Sequence, residues 1–483
     1  MFGIFPILFI YTNNLSEISL DSLLIPVLGI FGLISVLLLI LVKVSKNIQK
    51  STLFLSLSLF LFFSIGYTKL LFHGLQIFNS HSTIFVFFIY SLIFLVGFIF
   101  IYRMKYSLEI TKIISVISFV VILSFLPGIF LDFSNSIYGD TNNSKLKFSN
   151  LDTPNIYFIL LDGYSNNQSL KNNFDYDNSK FLEYLESFQF IINKNSFSNY
   201  DGTVMSMIST LNMNYLHEFK DLGTNNLLLQ KNLFSNNLVM DTFQNNGYNT
   251  IYIDGGGPLR DMKTSNKILC HFTDNGLLQT LIDTSVLTYI FQGSFWDSWN
   301  DRRICSFSEL ENIPKNVESP FFIYAHLRTP HEPYLRDENG NFTEYTERAN
   351  DLDEKTFNER YVYQLKYTNK KIIEIIPKLL SVESKPIIIL VSDHGWKYST
   401  GLSWTDDEHV QKHSNFAAFY VPNSDYPEFY SNTTMVNIFR IIFNDYFGTN
   451  LEILKNKAYD VNEKNIENYI DQRDITYLFD SKN

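Results

Sequence analysis

Aspartate and histidine residues follow three apolar runs in the second half of this 483-residue chain. Asp393 and His394 follow the run PIIILVS, and Asp162 follows the run NIYFILL. His326 follows the run FFIYA, and His331 comes five residues later. Carboxylate oxygens and imidazole nitrogens are ligands that Zn²⁺ and Mn²⁺ accept. These residue types predict a divalent-metal site, with Zn or Mn as the ion, provided that the fold brings them together.

The apolar runs themselves are typical of strands in a parallel sheet that is covered on both faces. Ligands of such sheets bind in the crevice outside the carboxyl ends of the strands. Runs with helical spacing, at 178–188, 227–243 and 357–380, alternate with the predicted strands. The alternation predicts an α/β domain with a mainly parallel central sheet.

Thr203 follows Asp201-Gly202 and stands at the start of a predicted helix. The free N–H groups and dipole of a helix N-terminus favour a phosphate or an anionic oxygen. A threonine hydroxyl is a weak nucleophile unless a metal or a base lowers its pKa. One metal bound by Asp162, Asp393, His394 and the Thr203 hydroxyl would activate that hydroxyl. Taken alone, Thr203 is better explained as a helix N-cap.

The first 131 residues are predicted to form a membrane region. They contain uncharged runs long enough to cross a hydrocarbon core of about 30 Å, at Leu23–Val42, Ser51–Thr68, Ile84–Tyr102 and Ile113–Leu131. Phe2–Tyr11 is shorter and fits either a fifth helix or an interfacial segment. Lys and Arg residues concentrate at 43–50 and 103–112, which predicts that these connections are cytoplasmic. Everything after residue 131 then lies outside the cytoplasmic membrane.

The remaining sequence is predicted to contain a linker at 132–153, a catalytic domain at 154–450 and a C-terminal extension at 451–483. The net charge of -11, without a basic patch, argues against a nucleic-acid partner. Cys270 and Cys305 are the two cysteines. In an extracytoplasmic domain they fit a single disulfide about as well as two unrelated thiols.

Four segments, in chain order, resemble the sulfatase-like branch of the alkaline phosphatase superfamily: NIYFILLDG at 155–163, SNYDGT at 198–203, AHLRTPHEPY at 325–334 and SDHG at 392–395. More narrowly, they resemble the membrane-anchored sulfatase-domain proteins of bacteria, whose relatives include lipoteichoic acid synthases and phosphoethanolamine transferases. The resemblance implies an alkaline phosphatase-type α/β sandwich. It also implies that Thr203 is the nucleophile and that Asp162, Thr203, Asp393 and His394 bind the metal.

The same resemblance implies that His331 and His326 bind substrate. Relatives often carry a basic residue shortly before the next strand, where this chain has Lys412 and His413, so His413 is a further candidate. Formylglycine sulfatases have a C/S-x-P-x-R context at the nucleophile, whereas this chain has TVMSM from Thr203 onwards. Trp396 follows Asp-His-Gly, where relatives often have other residues.

The function expected from these observations is that of a membrane-anchored, metal-dependent phosphoalkyl transferase or phosphodiesterase. It would act outside the cytoplasmic membrane on an envelope lipid or glycan. Two alternatives stay open, a sulfuric ester hydrolase and a non-catalytic membrane protein that binds an envelope glycan. The sequence does not predict the donor, the acceptor or the oligomeric state.

Overall fold

A computed structural model describes residues 3–13, 23–74, 82–129, 146–149, 153–222, 226–256, 262–270, 275–289, 292–343, 352–381, 385–396, 404–424, 430, 433–461 and 472–480. The chain divides into two compact units. The first, which we call the membrane unit because it contains the predicted spans, comprises Met1–Gly139 and Phe272–Phe295. The second, which we call the catalytic unit because it contains the predicted catalytic domain, comprises Asp140–His271 and Trp296–Asn483.

The first unit is built from apolar helices at Ile4–Asn13, Leu24–Ser45, Ile48–Gly74, Ser82–Arg103 and Ser107–Leu123. Four stretches are long and apolar enough to cross a membrane: Leu24–Ser45, Ile48–Thr68, Phe85–Arg103 and Ser107–Ile129. The four predicted spans are therefore confirmed as apolar helices of spanning length. Ile4–Asn13 has 10 residues and is about 15 Å long, half of the hydrocarbon core.

Residues of the first unit also come from the middle of the chain, which the sequence pattern did not predict. The helix Asn275–Asp283 packs Leu277 and Leu281 against Ile7, Ile10 and Tyr11 of the N-terminal helix. The Gly66 N–H donates a hydrogen bond to the Thr284 carbonyl oxygen at 3.1 Å. The segment Phe272–Phe295 thus belongs to the membrane unit rather than to the catalytic unit.

A seven-stranded sheet forms the centre of the second unit. Its strands are β1 (Ile156–Leu161), β2 (Ile191–Ile192), β3 (Asn249–Asp254), β4 (Lys267–Leu269), β5 (Phe321–Leu327), β6 (Ile387–Val391) and β7 (Ala417–Tyr420), in the order β2-β7-β6-β1-β5-β3-β4. Strands β6, β1, β5, β3 and β4 are parallel, and β7 and β2 complete one edge in antiparallel pairing. The predicted α/β architecture with a mainly parallel sheet is confirmed.

Helices cover both faces of this sheet: Asn167–Phe174, Ser179–Ser187, Thr203–Leu211, Asn226–Ser235, Leu238–Asn245, Gln292–Asn316, Glu354–Leu380 and Ile438–Phe447. The helices Asp406–His413 and Tyr477–Asp480 contribute to a separate small core. Along β1, Phe158 and Leu160 join the core on one face, while Tyr157 and Ile159 join the core on the other. Every residue of β1 is completely buried. Burial on both faces is why the strand reads as a continuous apolar run.

Two segments outside the predicted catalytic domain also pack within this unit. Phe148, which was predicted to lie in the linker, stacks on Phe447 with ring centroids 4.1 Å apart. The C-terminal extension forms β8 (Tyr459–Val461) and β9 (Gln472–Asp474), an antiparallel pair. The Tyr459 N–H donates to the Asn199 carbonyl oxygen at 2.9 Å, four residues before Thr203. Both segments are therefore parts of the folded unit.

Cys270 and Cys305 form a disulfide, with Cα atoms 5.8 Å apart. Of the two alternatives for the cysteines, the single bridge is correct. Both residues belong to the second unit, and the segment Phe272–Phe295 of the first unit lies between them in the sequence. The bridge therefore closes a stretch of chain that contains the whole of Phe272–Phe295.

We expect the double substitution Cys270→Ser/Cys305→Ser to lower the thermal stability of the catalytic unit. The bridge closes a loop with a sequence separation of 35 residues, which corresponds to about 4 kcal/mol in the chain-entropy model. Thermal unfolding followed by circular dichroism, with and without reductant, measures the effect. Reductant should lower the melting temperature of the wild type and leave that of the double variant unchanged. Equal melting temperatures of the oxidised wild type and the variant would contradict this prediction.

Candidate active site

Asp162, Asp393 and His394 lie together at the carboxyl ends of two neighbouring parallel strands. Asp162 follows β1, the Asp-His pair follows β6, and these strands pair directly. One ligand atom from each residue lies within 4.8 Å of the others. All three side chains are buried, with at most 2% of each residue exposed. The structure thus brings together the three residues that were predicted from their positions at the ends of strands.

Hydrogen bonds fix one side of each ligand residue. Asp393 Oδ1 accepts from the N–H groups of Gly163 and His394, both at 3.0 Å. Asp162 Oδ2 lies 3.1 Å from His326 Nε2. His394 Nδ1 lies 2.7 Å from the Gly395 carbonyl oxygen, so Nδ1 carries the proton in the neutral ring. His394 Nε2 then presents a lone pair, as a metal ligand must.

The other side of each carboxylate is left without a hydrogen bond. Among the described residues, neither Asp162 Oδ1 nor Asp393 Oδ2 has a hydrogen-bond partner. His394 Nε2 lies 3.9 Å from Asp162 Oδ1 and 3.5 Å from Asp393 Oδ2. Buried carboxylate oxygens without partners are costly. Two such oxygens facing an imidazole lone pair form a donor set that suits Zn²⁺ or Mn²⁺.

The pKa values of these groups reflect their mutual proximity. Burial raises the pKa of Asp393, and the negative charge of Asp162 raises it further. Burial alone would also raise the pKa of Asp162. The neighbouring His331, His326 and His394 together hold it well below its usual value. Burial lowers the pKa of His394. A cation bound between the two carboxylates would relieve their repulsion.

Thr203 is the first residue of the helix Thr203–Leu211, as predicted. The N-cap position is occupied by Gly202, in an extended conformation, and the cap makes no side-chain hydrogen bond. The alternative in which Thr203 is only an N-cap is therefore wrong. The Thr203 hydroxyl instead interacts with the Asp393 carboxylate and is one of the groups that oppose the burial-raised pKa of that residue. The predicted nucleophile thus lies next to the predicted metal ligands.

His326 lies against Asp162 and is almost completely buried. It belongs to β5, which pairs with β1, and its Cα partner in β1 is Leu160. The structure therefore places His326 as a hydrogen-bond partner of a ligand carboxylate. Such partners orient metal ligands, so a positioning role for His326 is an alternative to its predicted role in substrate binding, which stays a prediction.

His331 lies at the edge of the same cluster. Its ring centroid is 6.4 Å from that of His394 and 4.5 Å from that of Trp396. Its Nδ1 lies 2.9 Å from the Glu332 carbonyl oxygen. Burial lowers the pKa of His331 to about 3, although the charge of Asp162 opposes this shift. His331 is therefore neutral at neutral pH, with Nε2 able to accept a hydrogen bond.

A buried arginine that the sequence did not single out holds the loop that carries His331. Arg303 donates to the carbonyl oxygens of Arg328, His331 and Pro333 at 2.9, 2.8 and 2.7 Å. Its guanidinium also donates to Gln364 Oε1 at 3.1 Å, and Gln364 Nε2 donates to the His331 carbonyl oxygen at 2.6 Å. The fork of the guanidinium suits three converging carbonyl groups. No local sequence pattern predicts this role, because the partners are backbone atoms of a distant loop.

We expect Arg303→Met to destabilise the catalytic unit. The substitution removes the donor to the Arg328 carbonyl oxygen and one of two donors to each of the His331 and Pro333 carbonyl oxygens. An unsatisfied buried polar group costs about 1–3 kcal/mol. Thermal unfolding should show a melting temperature several degrees lower than that of the wild type. Lys315→Met is the matched control, because Lys315 is an exposed cation of the same helix, Gln292–Asn316. A melting temperature of Arg303→Met equal to that of the control would exclude the bracing role.

His413 is not part of the cluster. Its side chain is completely buried, with Nδ1 2.9 Å from the His409 carbonyl oxygen and Nε2 3.3 Å from the Tyr459 carbonyl oxygen. Both ring nitrogens thus face main-chain atoms of the catalytic unit. The neighbouring Lys412 reaches towards the site instead, with Nζ 4.7 Å from the centroid of the Trp396 ring. We therefore leave His413 out of the proposed substrate site.

Comparison with known proteins identifies a related family. The family model described as Sulfatase matches residues 154–417. A search of curated proteins finds no significant match to the chain.

Solved structures with a similar fold come from both transferases and sulfatases. The periplasmic domain of EptC from Escherichia coli, in a complex with zinc, has 11% identity, a TM-score of 0.45 and coverage of 69% of this chain and 95% of its own. The phosphoethanolamine transferase EptA from Neisseria meningitidis has 12% identity, a TM-score of 0.41 and coverage of 75% and 69%. A protein of Bacteroides thetaiotaomicron described as a sulfatase has 11% identity, a TM-score of 0.43 and coverage of 65% and 74%. At these identities and TM-scores, the likeness does not extend to a reaction or a substrate.

Proposed function

The chain belongs to the sulfatase family, and from that membership we propose that it is a metal-dependent enzyme that cleaves phosphodiesters with Thr203 as nucleophile. It would transfer the resulting phosphoalkyl group to an alcohol, or hydrolyse it. The proposal covers the reaction class, the nucleophile and the residues that hold the metal.

One observation carries this proposal. Two buried carboxylate oxygens without hydrogen bonds and one imidazole nitrogen converge beside a threonine at a helix N-terminus. The donor atoms suit a divalent cation, and the helix N-terminus suits a tetrahedral anion. Asp162, Asp393 and His394 would hold the ion together with the Thr203 hydroxyl. When bound, a divalent cation lowers the pKa of the hydroxyl and offsets the charge that develops on phosphate.

The reaction would proceed in two displacements. In the first, Thr203 Oγ forms a bond to phosphorus as its proton is lost, and the bond from phosphorus to the first alcohol breaks. The departing oxygen keeps the electron pair and takes up a proton. In the second displacement, an acceptor alcohol or water attacks phosphorus, loses its proton and releases Thr203 with its hydroxyl restored. A covalent intermediate divides one difficult substitution into two easier ones.

Other residues near the site would either orient a metal ligand or contact the substrate. His326 would orient Asp162 through its hydrogen bond at 3.1 Å. His331, neutral and with an accepting Nε2, would contact the alcohol or the phosphoryl group. Lys412 would supply positive charge for the non-bridging oxygens of the phosphoryl group. Such charge contacts give much of the stabilisation in phosphoryl transfer.

The membrane helices determine which substrates the enzyme can reach. The charge distribution of the connections favours an outward catalytic unit, on the side opposite to Lys43, Lys46 and Lys50. An enzyme anchored there has access to phospholipids and envelope glycans. We therefore propose that the donor is a phospholipid-type phosphodiester and that the acceptor is an alcohol of an envelope lipid or glycan.

A hydrolase of sulfuric esters is the second candidate function, because family membership favours it. The residue at the nucleophile position counts against it, since Thr203 replaces the cysteine or serine from which formylglycine is made. Thr203-Val204-Met205 also lacks the proline of that motif.

Hydrolysis of model esters by the purified full-length protein in detergent separates these functions. We expect release of nitrophenol from bis(p-nitrophenyl) phosphate with added Zn²⁺ or Mn²⁺, and its loss with a chelator. Cleavage of p-nitrophenyl sulfate without cleavage of the diester would favour the sulfatase alternative. Absence of both activities, together with absence of transfer from membrane lipids, would favour a glycan-binding protein.

A further inference from the structure

Trp396 is fixed between three parts of the catalytic unit. Its backbone N–H donates to Ser165 Oγ at 2.8 Å, and its indole N–H donates to the Tyr334 hydroxyl at 2.6 Å. A Cβ at Gly163 would come within 2.9 Å of the indole Cε3, so the glycine permits the close approach. Only 8% of Trp396 is exposed. The indole plane is therefore set by contacts on both its edge and its face.

The indole also contacts the two histidines of the site. The His394 ring is nearly parallel to it, at an angle of 19° and a centroid distance of 5.9 Å. The His331 ring meets it at 62°, with centroids 4.5 Å apart. Behind it, Phe357 and Tyr361 are parallel to the indole within 2° and 12°. Trp396 thus continues an aromatic stack from the helix Glu354–Leu380 to the edge of the metal ligands.

The indole face carries a cation as well. Lys412 Nζ lies 4.7 Å from the ring centroid, within the range of a cation–π interaction. The Lys412 carbonyl oxygen accepts from the Gly395 N–H at 2.7 Å, which ties its backbone to the residue before Trp396. Lysine side chains have high conformational entropy, and a fixed aromatic face reduces the freedom that binding must remove.

We propose that Trp396 is a positioning residue that holds the Lys412 ammonium group as an anion subsite for the phosphoryl oxygens of the substrate. This inference rests on the proposed function and deepens it. The ring presents its face to the cation, and the neutral imidazole of His331 meets the ring at an angle of 62°. A tetrahedral anion at the proposed metal site would then meet the positive charge of Lys412.

A double-mutant cycle on phosphate binding tests this role. Inorganic phosphate is titrated into the zinc-loaded full-length protein in detergent, and heat is measured for the wild type, Trp396→Leu, Lys412→Gln and the double variant. We expect each single substitution to weaken phosphate binding about tenfold. If Trp396 acts through Lys412, Trp396→Leu should weaken binding no more than about threefold in the Lys412→Gln background. An additional tenfold loss in the double variant, or unchanged affinity of Trp396→Leu, would overturn the proposal.

Controls separate positioning from folding. Trp404→Leu replaces a tryptophan of the same region whose ring contacts His409 instead, with centroids 5.4 Å apart, and it should leave phosphate affinity unchanged. If Trp396→Leu does not fold, Trp396→Phe completes the cycle. It retains a smaller aromatic face, and it should weaken phosphate binding about threefold in the wild-type background and not at all beside Lys412→Gln. Equal losses from Trp396→Phe in both backgrounds would contradict the proposal.

Two further readouts distinguish this inference from the proposed reaction. Zinc affinity, measured by separate titration of zinc into the metal-free protein, should change much less than phosphate affinity in Lys412→Gln. In turnover of a phosphodiester, Trp396→Phe should raise KM more than it lowers kcat. Coupled phosphate binding without turnover would support the subsite and count against the proposed reaction. Turnover without coupling would support the reaction and exclude the positioning role.

Discussion

Replacement of Thr203 by alanine should reduce phosphodiester turnover by at least about a thousandfold, because the attacking oxygen and one proposed metal ligand are both removed. Stability should change by less than about 1 kcal/mol, since Gly202 rather than Thr203 occupies the N-cap position of the helix. Initial rates with bis(p-nitrophenyl) phosphate and thermal unfolding of the same preparations measure the two quantities.

Two substitutions at the same position sharpen this test. Thr203→Val keeps the shape of the side chain without its hydroxyl and should be as inactive as the alanine variant. Thr203→Ser keeps a hydroxyl and should retain partial activity. Substantial diester cleavage by both Thr203→Ala and Thr203→Val would exclude Thr203 as the nucleophile.

Replacement of Asp393 by asparagine should abolish both metal binding and turnover. A neutral amide is a much weaker ligand for a divalent cation than a carboxylate. The metal-free variant should nevertheless be at least as stable as the metal-free wild type at neutral pH. Burial and the charge of Asp162 raise the pKa of Asp393, so ionised Asp393 costs stability above that pKa. This cost disappears when the pH falls below the pKa that Asp393 has in the unfolded state.

Zinc titration with thermal unfolding measures this effect. At a zinc concentration of 100 times Kd, binding stabilises the wild type by about 2.7 kcal/mol. Asp393→Asn should show no such increase. Asp254→Asn is the matched control, because Asp254 is also a buried carboxylate at a strand end but lies outside the ligand cluster, and it should keep the zinc-dependent increase. An increase for Asp393→Asn equal to that of the wild type would contradict the ligand assignment.

Much of the site could be predicted because parallel strands end at a common edge. Asp162 and Asp393 follow strands whose apolar runs are long and uninterrupted, and the pairing of β1 with β6 brings them together. The length of each apolar run and the position of the aspartate directly after it were sufficient to predict these two residues as parts of the site. The position of Thr203 followed from the apolar run of the helix that it begins.

Features that depend on side-chain direction or distant packing could not be predicted in this way. His326 lies at the end of β5 as expected, but whether its ring faces a ligand or the substrate depends on register and rotamer. His413 is adjacent to Lys412 in sequence, yet their side chains point to different surroundings. Arg303 binds backbone atoms of a loop about 30 residues away, for which no pattern exists.

The association of Phe272–Phe295 with the membrane unit had no local signal either. Its helix, Asn275–Asp283, has two leucines that pack against the N-terminal helix. An amphipathic helix of this length fits a catalytic domain equally well by sequence. Only the tertiary contacts distinguish the two positions.

We expect a phosphorus-containing group to become covalently attached to Thr203 during turnover. Tandem mass spectrometry of the full-length protein, acid-quenched during turnover of a phosphodiester, tests it most directly. We predict a phosphoryl or phosphoalkyl adduct on Thr203 in the wild type and its absence in Thr203→Val. Turnover without an adduct on Thr203 in rapidly quenched samples, or with an adduct on another residue, would contradict the account.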